Sequence, residues 1–211
     1  MRSEAKRVFP HPSIRRLPSY LRLLRQLRVD GSQKVSCTRI ANELDLDSTQ
    51  VRKDLALTGI TGRPRIGYEL SPLIEAIEVF LGWNQATDAF LVGAGSLGKA
   101  LIGYDNFRNC GLNIVAAFDV LEEKVGKDIF GRTIHHLSEM PELAKKMGVN
   151  MGILTVPSSS AQPAADVMVA SGITGIWNFA PVKLDLPDNV AVENVELVSS
   201  LAVLSVNMSG R

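Results

Sequence analysis

Two cysteines, Cys37 and Cys110, are all that 211 residues contain, too few for a disulfide framework. The expectation is a reducing, cytoplasmic setting in which both thiols are small packing residues. Histidine is nearly as scarce. His11 lies in the N-terminal stretch, and His135-His136 have no cysteine or carboxylate read at ligand spacing, so no metal site is expected. No apolar run approaches the ~20 residues a bilayer span needs, so no membrane partner is expected. The opening MRSEAKRVFPHPSIRR is basic but lacks the apolar core of a secretory signal. Net charge is also slight, at +1. With 45% hydrophobic and 21% charged residues, the composition is that of a globular chain and excludes wholesale disorder.

The small net charge conceals an asymmetry. Residues 1–70 hold 14 Lys and Arg against 7 Asp and Glu, a net +7, and the other 141 residues hold 9 against 15, a net −6. A basic first third suits a polyanion partner, although a merely solvated basic face would give the same count. Ile14, Leu17, Leu21, Leu24 and Leu27 recur at helical spacing, and Asp30-Gly31 stops that helix. A second short helix spans Thr38 to Leu44. After the Asp45-Leu46-Asp47 connection, Asp47 or Ser48 can cap a third helix, which Gly59 can end. Helix, tight turn, helix is the arrangement whose second helix enters the major groove. Ser48, Thr49, Gln50, Arg52 and Lys53 lie in its first turns, where side chains reach phosphates and base edges. The stretch from Ile60 to Leu70, with Arg63 and Arg65 around Pro64, reads as a hairpin wing placing arginine against a minor groove. Charge, helix-turn-helix and arginine wing together point to DNA.

Ser71-Pro72 is expected to open a further helix that Gly82 ends, and residues 83–86 form a boundary. Beyond them, short apolar runs at 89–92, 113–118, 133–134, 151–155 and 176–179 alternate with helical patterns, the signature of a doubly wound parallel sheet. The first run leads into Gly93-Ala94-Gly95-Ser96-Leu97-Gly98, and Asp119 closes the next. A G-x-G-x-x-G between strand and helix, with an acid about 20 residues on, is a dinucleotide fingerprint. Asp119 would accept bonds from the adenosine ribose. Val120 and Leu121 supply no arginine for a 2′-phosphate, which favours NAD(H). Two later strand ends, Thr155-Val156-Pro157 and Asn178-Phe179-Ala180-Pro181, should line the same crevice, with Phe179 against the nicotinamide. No convincing acid–base pair appears at the nicotinamide end, and no catalytic residue is assigned. A cofactor domain joined to a DNA-binding head without chemistry suggests a sensor.

These motifs, in this order along nearly the whole chain, resemble the Rex family of bacterial redox-sensing transcriptional repressors. The resemblance rests on Ile14-Arg-Arg-Leu-Pro-Ser-Tyr-Leu-Arg22, Val51-Arg-Lys-Asp54, Gly67-Tyr68, Gly93–Gly98, Phe118-Asp119-Val120, Thr155-Val-Pro157 and Asn178-Phe-Ala-Pro181. It implies a homodimer of winged-helix and Rossmann domains whose C-terminal helices, here about 195–207, swap between subunits. It also implies release from palindromic operator DNA when NADH binds, and a link among Arg22, Tyr104 and Glu196. The chain departs from the family where Leu57-Thr58 replaces aromatics and where Glu196-Leu197 replaces an Asp-led pair. The expected division is 1–82 for DNA, 86–193 for NAD(H) and 194–211 for dimerisation. Two alternatives remain: an NAD-dependent dehydrogenase with an appended DNA-binding domain, and a CoA-binding domain protein.

Overall fold

The structure, a computed structural model, describes residues 9–209. It divides into two compact units between Gln85 and Ala86. The fold is α/β, with an N-terminal helical unit and a parallel-sheet unit.

In the first unit α1 (His11–Val29) buries Leu17, Tyr20, Leu21, Leu24 and Leu27, the stripe its spacing requires. Strand β1 (Lys34–Val35) precedes α2 (Cys37–Leu44), whose Arg39 N–H donates to the Ser36 hydroxyl. Asp45 ends α2 in the left-handed region, at φ 52°. Asp47, rather than Ser48, caps α3 (Ser48–Ala56): its carboxylate accepts from the N–H groups of Thr49 at 2.8 Å and Gln50 at 3.0 Å. Val51 and Leu55 close the core over α1.

The wing is shorter than the sequence suggests. Arg63 and Gly67 exchange two backbone hydrogen bonds around Pro64, but the following strand β2 (Tyr68–Glu69) pairs antiparallel with β1, not with residues before the turn. The reason lies at Gly67, φ +85°, where any Cβ would overlap the Val35 carbonyl, so β2 is drawn against β1. Helix α4 (Leu70–Leu81) begins ahead of the expected Ser71 cap. Leu70 N–H donates to Gln33 O at 2.9 Å, extending the β1–β2 pairing, and Pro72 falls in the first turn, where no intrahelical donor is needed. Gly82 ends it at φ 72°.

In the second unit the elements are β3 (Thr87–Val92), α5 (Ser96–Ile102), β4 (Leu112–Asp119), β5 (Asp128–Ile129), β6 (Arg132–His136), α6 (Met140–Met147), β7 (Met151–Leu154), α7 (Ser158–Ala170), β8 (Gly175–Asn178), β9 (Ala191–Asn194) and α8 (Leu197–Met208). The sheet order is β5-β6-β4-β3-β7-β8-β9, parallel throughout except at the β5–β6 hairpin. From β6 to β9 this is the doubly wound order with its switch point between β3 and β7. Apolar cores cover both faces, one around Phe90 and Phe118, the other around Leu91 and Ile153. Two strands were not expected. β5 is two residues long and turns through Phe130 (φ 49°) and Gly131 (φ 75°), while β9 is an edge strand with no buried residue. Among the described residues no helix is long and apolar enough to cross a membrane.

Candidate functional site

The glycine loop sits at the switch point because the chain straps it there from both sides. Gly93 N–H donates to Phe118 O at 2.8 Å, and Ala94 N–H donates to the Asp119 carboxylate at 2.9 Å, which ties the loop to β4. Just past the end of β7, the Thr155 hydroxyl donates to Val92 O at 3.0 Å and Gly93 O at 2.8 Å. Gly93 has φ +104° and faces the Thr155 backbone, and a Cβ on Gly98 would overlap the Gly93 carbonyl. Gly95 differs: nothing lies within 4 Å of where its Cβ would stand. Packing therefore demands the outer two glycines, whereas the middle one keeps open the space in which a pyrophosphate meets the backbone. This cradle fits a dinucleotide. Ser96 and Leu97 are exposed beside it.

Asp119 is buried and more heavily engaged than the sequence implies. Besides Ala94, it accepts from Leu121 N–H at 3.1 Å and from Lys124 Nζ at 2.7 Å. Burial pushes its carboxyl up, but the Lys124 ammonium and the Leu121 and Ala94 N–H groups outweigh that and hold it below the usual carboxylate range. Val120 and Leu121 are exposed apolar side chains next to it. Lys124 is a cation beside Asp119 that the sequence reading did not single out. It lies five residues beyond Asp119, and only the fold of the 120–124 turn brings it back.

At the end of β8 the predicted residues divide by role. Asn178 is fully buried and its amide is spent within the protein, donating to Val182 O at 3.0 Å and Asn194 Oδ1 at 2.9 Å and accepting from Ala180 N–H at 2.9 Å. Its side chain shapes the 178–182 turn. Phe179 is half-buried, Ala180 buried and Pro181 exposed, while beyond the end of β7 Val156 is half-buried and Pro157 exposed. Phe179 packs on Trp177 at 4.8 Å between ring centroids, Trp177 on Phe107 at 5.4 Å, and Phe107 on Tyr104 at 4.9 Å. Sequence reasoning missed Trp177 and Phe107, since neither belongs to a motif. It also missed that Glu139, four residues past His135, brings its carboxylate to 3.3 Å from the ring Nδ1.

In the first unit Thr49, Arg52, Lys53, Arg63 and Arg65 are exposed, while Ser48 and Gln50 are half-buried. Arg52, Arg63, Arg65, Thr38 and Tyr68 line a groove of about 620 Å³ between α3 and the 63–67 turn. Asp54 is on the buried face of α3. Arg16 on α1 donates to both its oxygens, from Nε at 2.7 Å and Nη2 at 2.8 Å, and the Tyr20 hydroxyl donates at 2.6 Å.

Comparison with known proteins joins these two sites. Residues 9–56 match the family described as "Putative DNA-binding protein N-terminus", and residues 84–182 match the CoA binding domain family. A redox-sensing transcriptional repressor Rex from Treponema denticola is 48% identical over 198 residues, covering 94% of each chain. The crystal structure of RSP in complex with beta-NAD+ and operator DNA superposes with a TM-score of 0.90 at 31% identity, over 97% of this chain and 94% of that one. RSP in complex with beta-NADH gives 0.87 at 30% identity, over 97% and 96%. The chain belongs to the Rex family. It is a redox-sensing transcriptional repressor by that membership.

Of the three residues of the implied Rex link, Arg22 lies in the first unit, and Tyr104 and Glu196 lie in the second. Arg22 is exposed on α1. The Tyr104 hydroxyl, half exposed, accepts from Asn106 at 3.0 Å. Glu196 precedes α8 and accepts from the Ser199 hydroxyl at 2.7 Å. α8 buries none of its described side chains, and Leu197, Val198, Leu201, Val203, Leu204 and Val206 all stand exposed.

Proposed function

We propose that this chain binds palindromic double-stranded operator DNA as a homodimer and leaves it when NADH occupies the crevice at the β3–β7 switch point. The observation that carries this reading is the strapped glycine loop with Gly95 open. Residues 1–82 serve DNA, 86–193 hold NAD(H), and 194–211 pair subunits, the exposed apolar face of α8 being the surface a second copy covers. Gly93–Gly98 cradle the phosphates, Asp119 faces the adenosine ribose, and Thr155–Pro157 and Asn178–Pro181 wall the nicotinamide end. The RSP complexes with beta-NAD+, beta-NADH and operator DNA support the same ligands here. The protein acts without catalysis, in the cytoplasm. The link among Arg22, Tyr104 and Glu196 forms across subunits, with the swapped helix bringing Glu196 to its partner's side.

Asp119→Ala is expected to weaken NADH binding by about 1.5–3 kcal/mol, the scale of charge-assisted hydrogen bonds. The variant also frees the Ala94 amide and strands Lys124 as an uncompensated cation. Discrimination against NADPH should therefore fall by more than affinity for NADH does. Titration calorimetry of both cofactors checks this, and unchanged NADH affinity would take Asp119 out of the site. A second reading has two observations in its favour, the match to the CoA binding domain family and Lys124 beside the ribose position. It requires coenzyme A to bind more tightly than NADH in the same titration.

Arg63 and Arg65 are exposed at the turn, and Arg65 holds φ 64° without glycine, which fixes its direction. Replacing a phosphate-contacting arginine there by alanine should lower the slope of log affinity against log salt by about one unit, uniformly across DNA sequences. A sequence-dependent loss would instead make that arginine a reader of bases.

A further inference from the structure

Gln50 lies on the flank of α3, between buried Asp54 and exposed Lys53, one residue from the buried Val51. Its amide faces Arg16. With the oxygen turned toward α1, Oε1 accepts from Arg16 Nη1 at 2.9 Å and Nη2 at 3.1 Å, whereas the opposite orientation sets its NH2 against the same donors. Arg16 cannot rotate away to relieve that conflict. Its Nε and Nη2 are held by both oxygens of Asp54, which is itself fixed by Tyr20. Hydrogen bonding thus dictates which end of Gln50 points away from the protein.

We propose that Arg16 is a positioning residue for DNA reading: it takes the oxygen of Gln50, so that Gln50 meets the duplex only as a donor. This rests on α3 being the helix that enters the groove. A free glutamine reads adenine by pairing one donor and one acceptor with N7 and N6. A glutamine whose oxygen is occupied cannot make that pair. Its Nε2 hydrogens suit acceptors alone: guanine N7 and O6, adenine N7, thymine O4, or a phosphate oxygen. Arg16 touches no base in this scheme and acts through the amide it orients.

The test begins by selecting a preferred duplex from a randomised library with the full wild-type chain, then measures affinities for it by fluorescence anisotropy. Gln50→Glu keeps oxygens facing Arg16, so its melting temperature should not drop, but it turns an anion toward DNA and should weaken binding at least tenfold. Gln50→Met, which lacks the donors, should become insensitive to one substitution that weakens the wild type. If that substitution is a 7-deazapurine, the acceptor is a base edge; if it is a methylphosphonate, the acceptor is a phosphate. Arg16→Lys keeps the charge near Asp54 and frees the amide. It should broaden base preference at a single position, where a merely structural role would weaken all duplexes alike. Gln50→Glu binding within twofold of wild type overturns the proposal. So does a wild type that loses affinity when adenine is replaced by purine, while Gln50→Met does not, because Gln50 would then be accepting from N6. If the wild type selects no duplex at all, the DNA-binding reading fails and this inference falls with it.

Discussion

Arg16→Met is expected to destabilise the helical unit by about 3–5 kcal/mol, the cost of leaving a buried charge without its partner. Asp54 is 1% exposed and accepts three hydrogen bonds, two of them from Arg16, whose own side chain is 23% exposed. Removing the guanidinium leaves Tyr20 as the remaining donor among those three contacts. Hydrogen exchange of the α3 amides measures the loss, and unchanged protection would mean that the ion pair contributes little. The same cluster gives a pH dependence. Burial pushes the Asp54 carboxyl up, but Arg16, Tyr20 and Ser13 outweigh it and hold the group below the usual range. A depressed folded-state value means that the unfolded chain binds the proton more readily. The stabilisation is therefore complete above the ordinary carboxylate range of about pH 4 and is lost as pH falls through the lower folded value. Tyr20 is driven the other way, mainly by burial and then by Asp54, and stays protonated as a donor throughout.

Gly98→Ala should weaken NADH binding more than a hundredfold, or about 2.7 kcal/mol. The added methyl would overlap the Gly93 carbonyl and approach Leu91 Cδ2 to 2.9 Å and Thr155 Oγ1 to 3.1 Å. Two of those three are groups that hold the loop on the sheet, so the loop must move as a whole, with an overpacking cost of about 1–3 kcal/mol. Gly95→Ala provides the contrast. Its methyl enters open space, so the melting temperature should hold while NADH affinity falls, because the methyl occupies volume a ligand needs. Equal thermal penalties for the two variants would show that Gly95 is structural and would remove the cradle from the account.

Periodic burial and local turn chemistry were legible in the sequence. The α1 stripe, the Gly82 stop and the strand leading into Gly93 follow from spacing alone, because a helix or strand face is decided within a few residues. Pairings across long separations were not. Asp54 reads as one more polar residue of α3 until Arg16, 38 positions away, is placed against it. Lys124 reads as surface charge until the 120–124 turn folds back on Asp119. Asn178 sits in a motif expected to touch the cofactor, yet its amide is consumed by Val182, Asn194 and Ala180, which only the turn geometry reveals. The β9 edge strand escaped because it buries no residue and so lacks the apolar run by which its neighbours were found. The short wing escaped because β2 pairs with a strand more than thirty residues earlier, rather than with its own hairpin arm.

The central claim is that the two sites oppose each other through one shared equilibrium. On the proposed reading, NADH and NAD+ share their adenosine and phosphate contacts, so discrimination would rest on the nicotinamide end, where a neutral reduced ring suits an apolar wall near Phe179 better than a cationic one. Linkage then makes the effect reciprocal: operator DNA must weaken NADH binding by the factor by which NADH weakens operator binding. A hundredfold loss of operator affinity corresponds to about 2.7 kcal/mol, or roughly 1.4 kcal/mol from each of two cofactor sites. The direct measurement is a calorimetric titration of NADH into the full chain, alone and saturated with its selected operator. The account predicts about tenfold weaker NADH binding per site when DNA is present. NADH affinity indifferent to saturating operator would contradict the account, even if both ligands bind tightly.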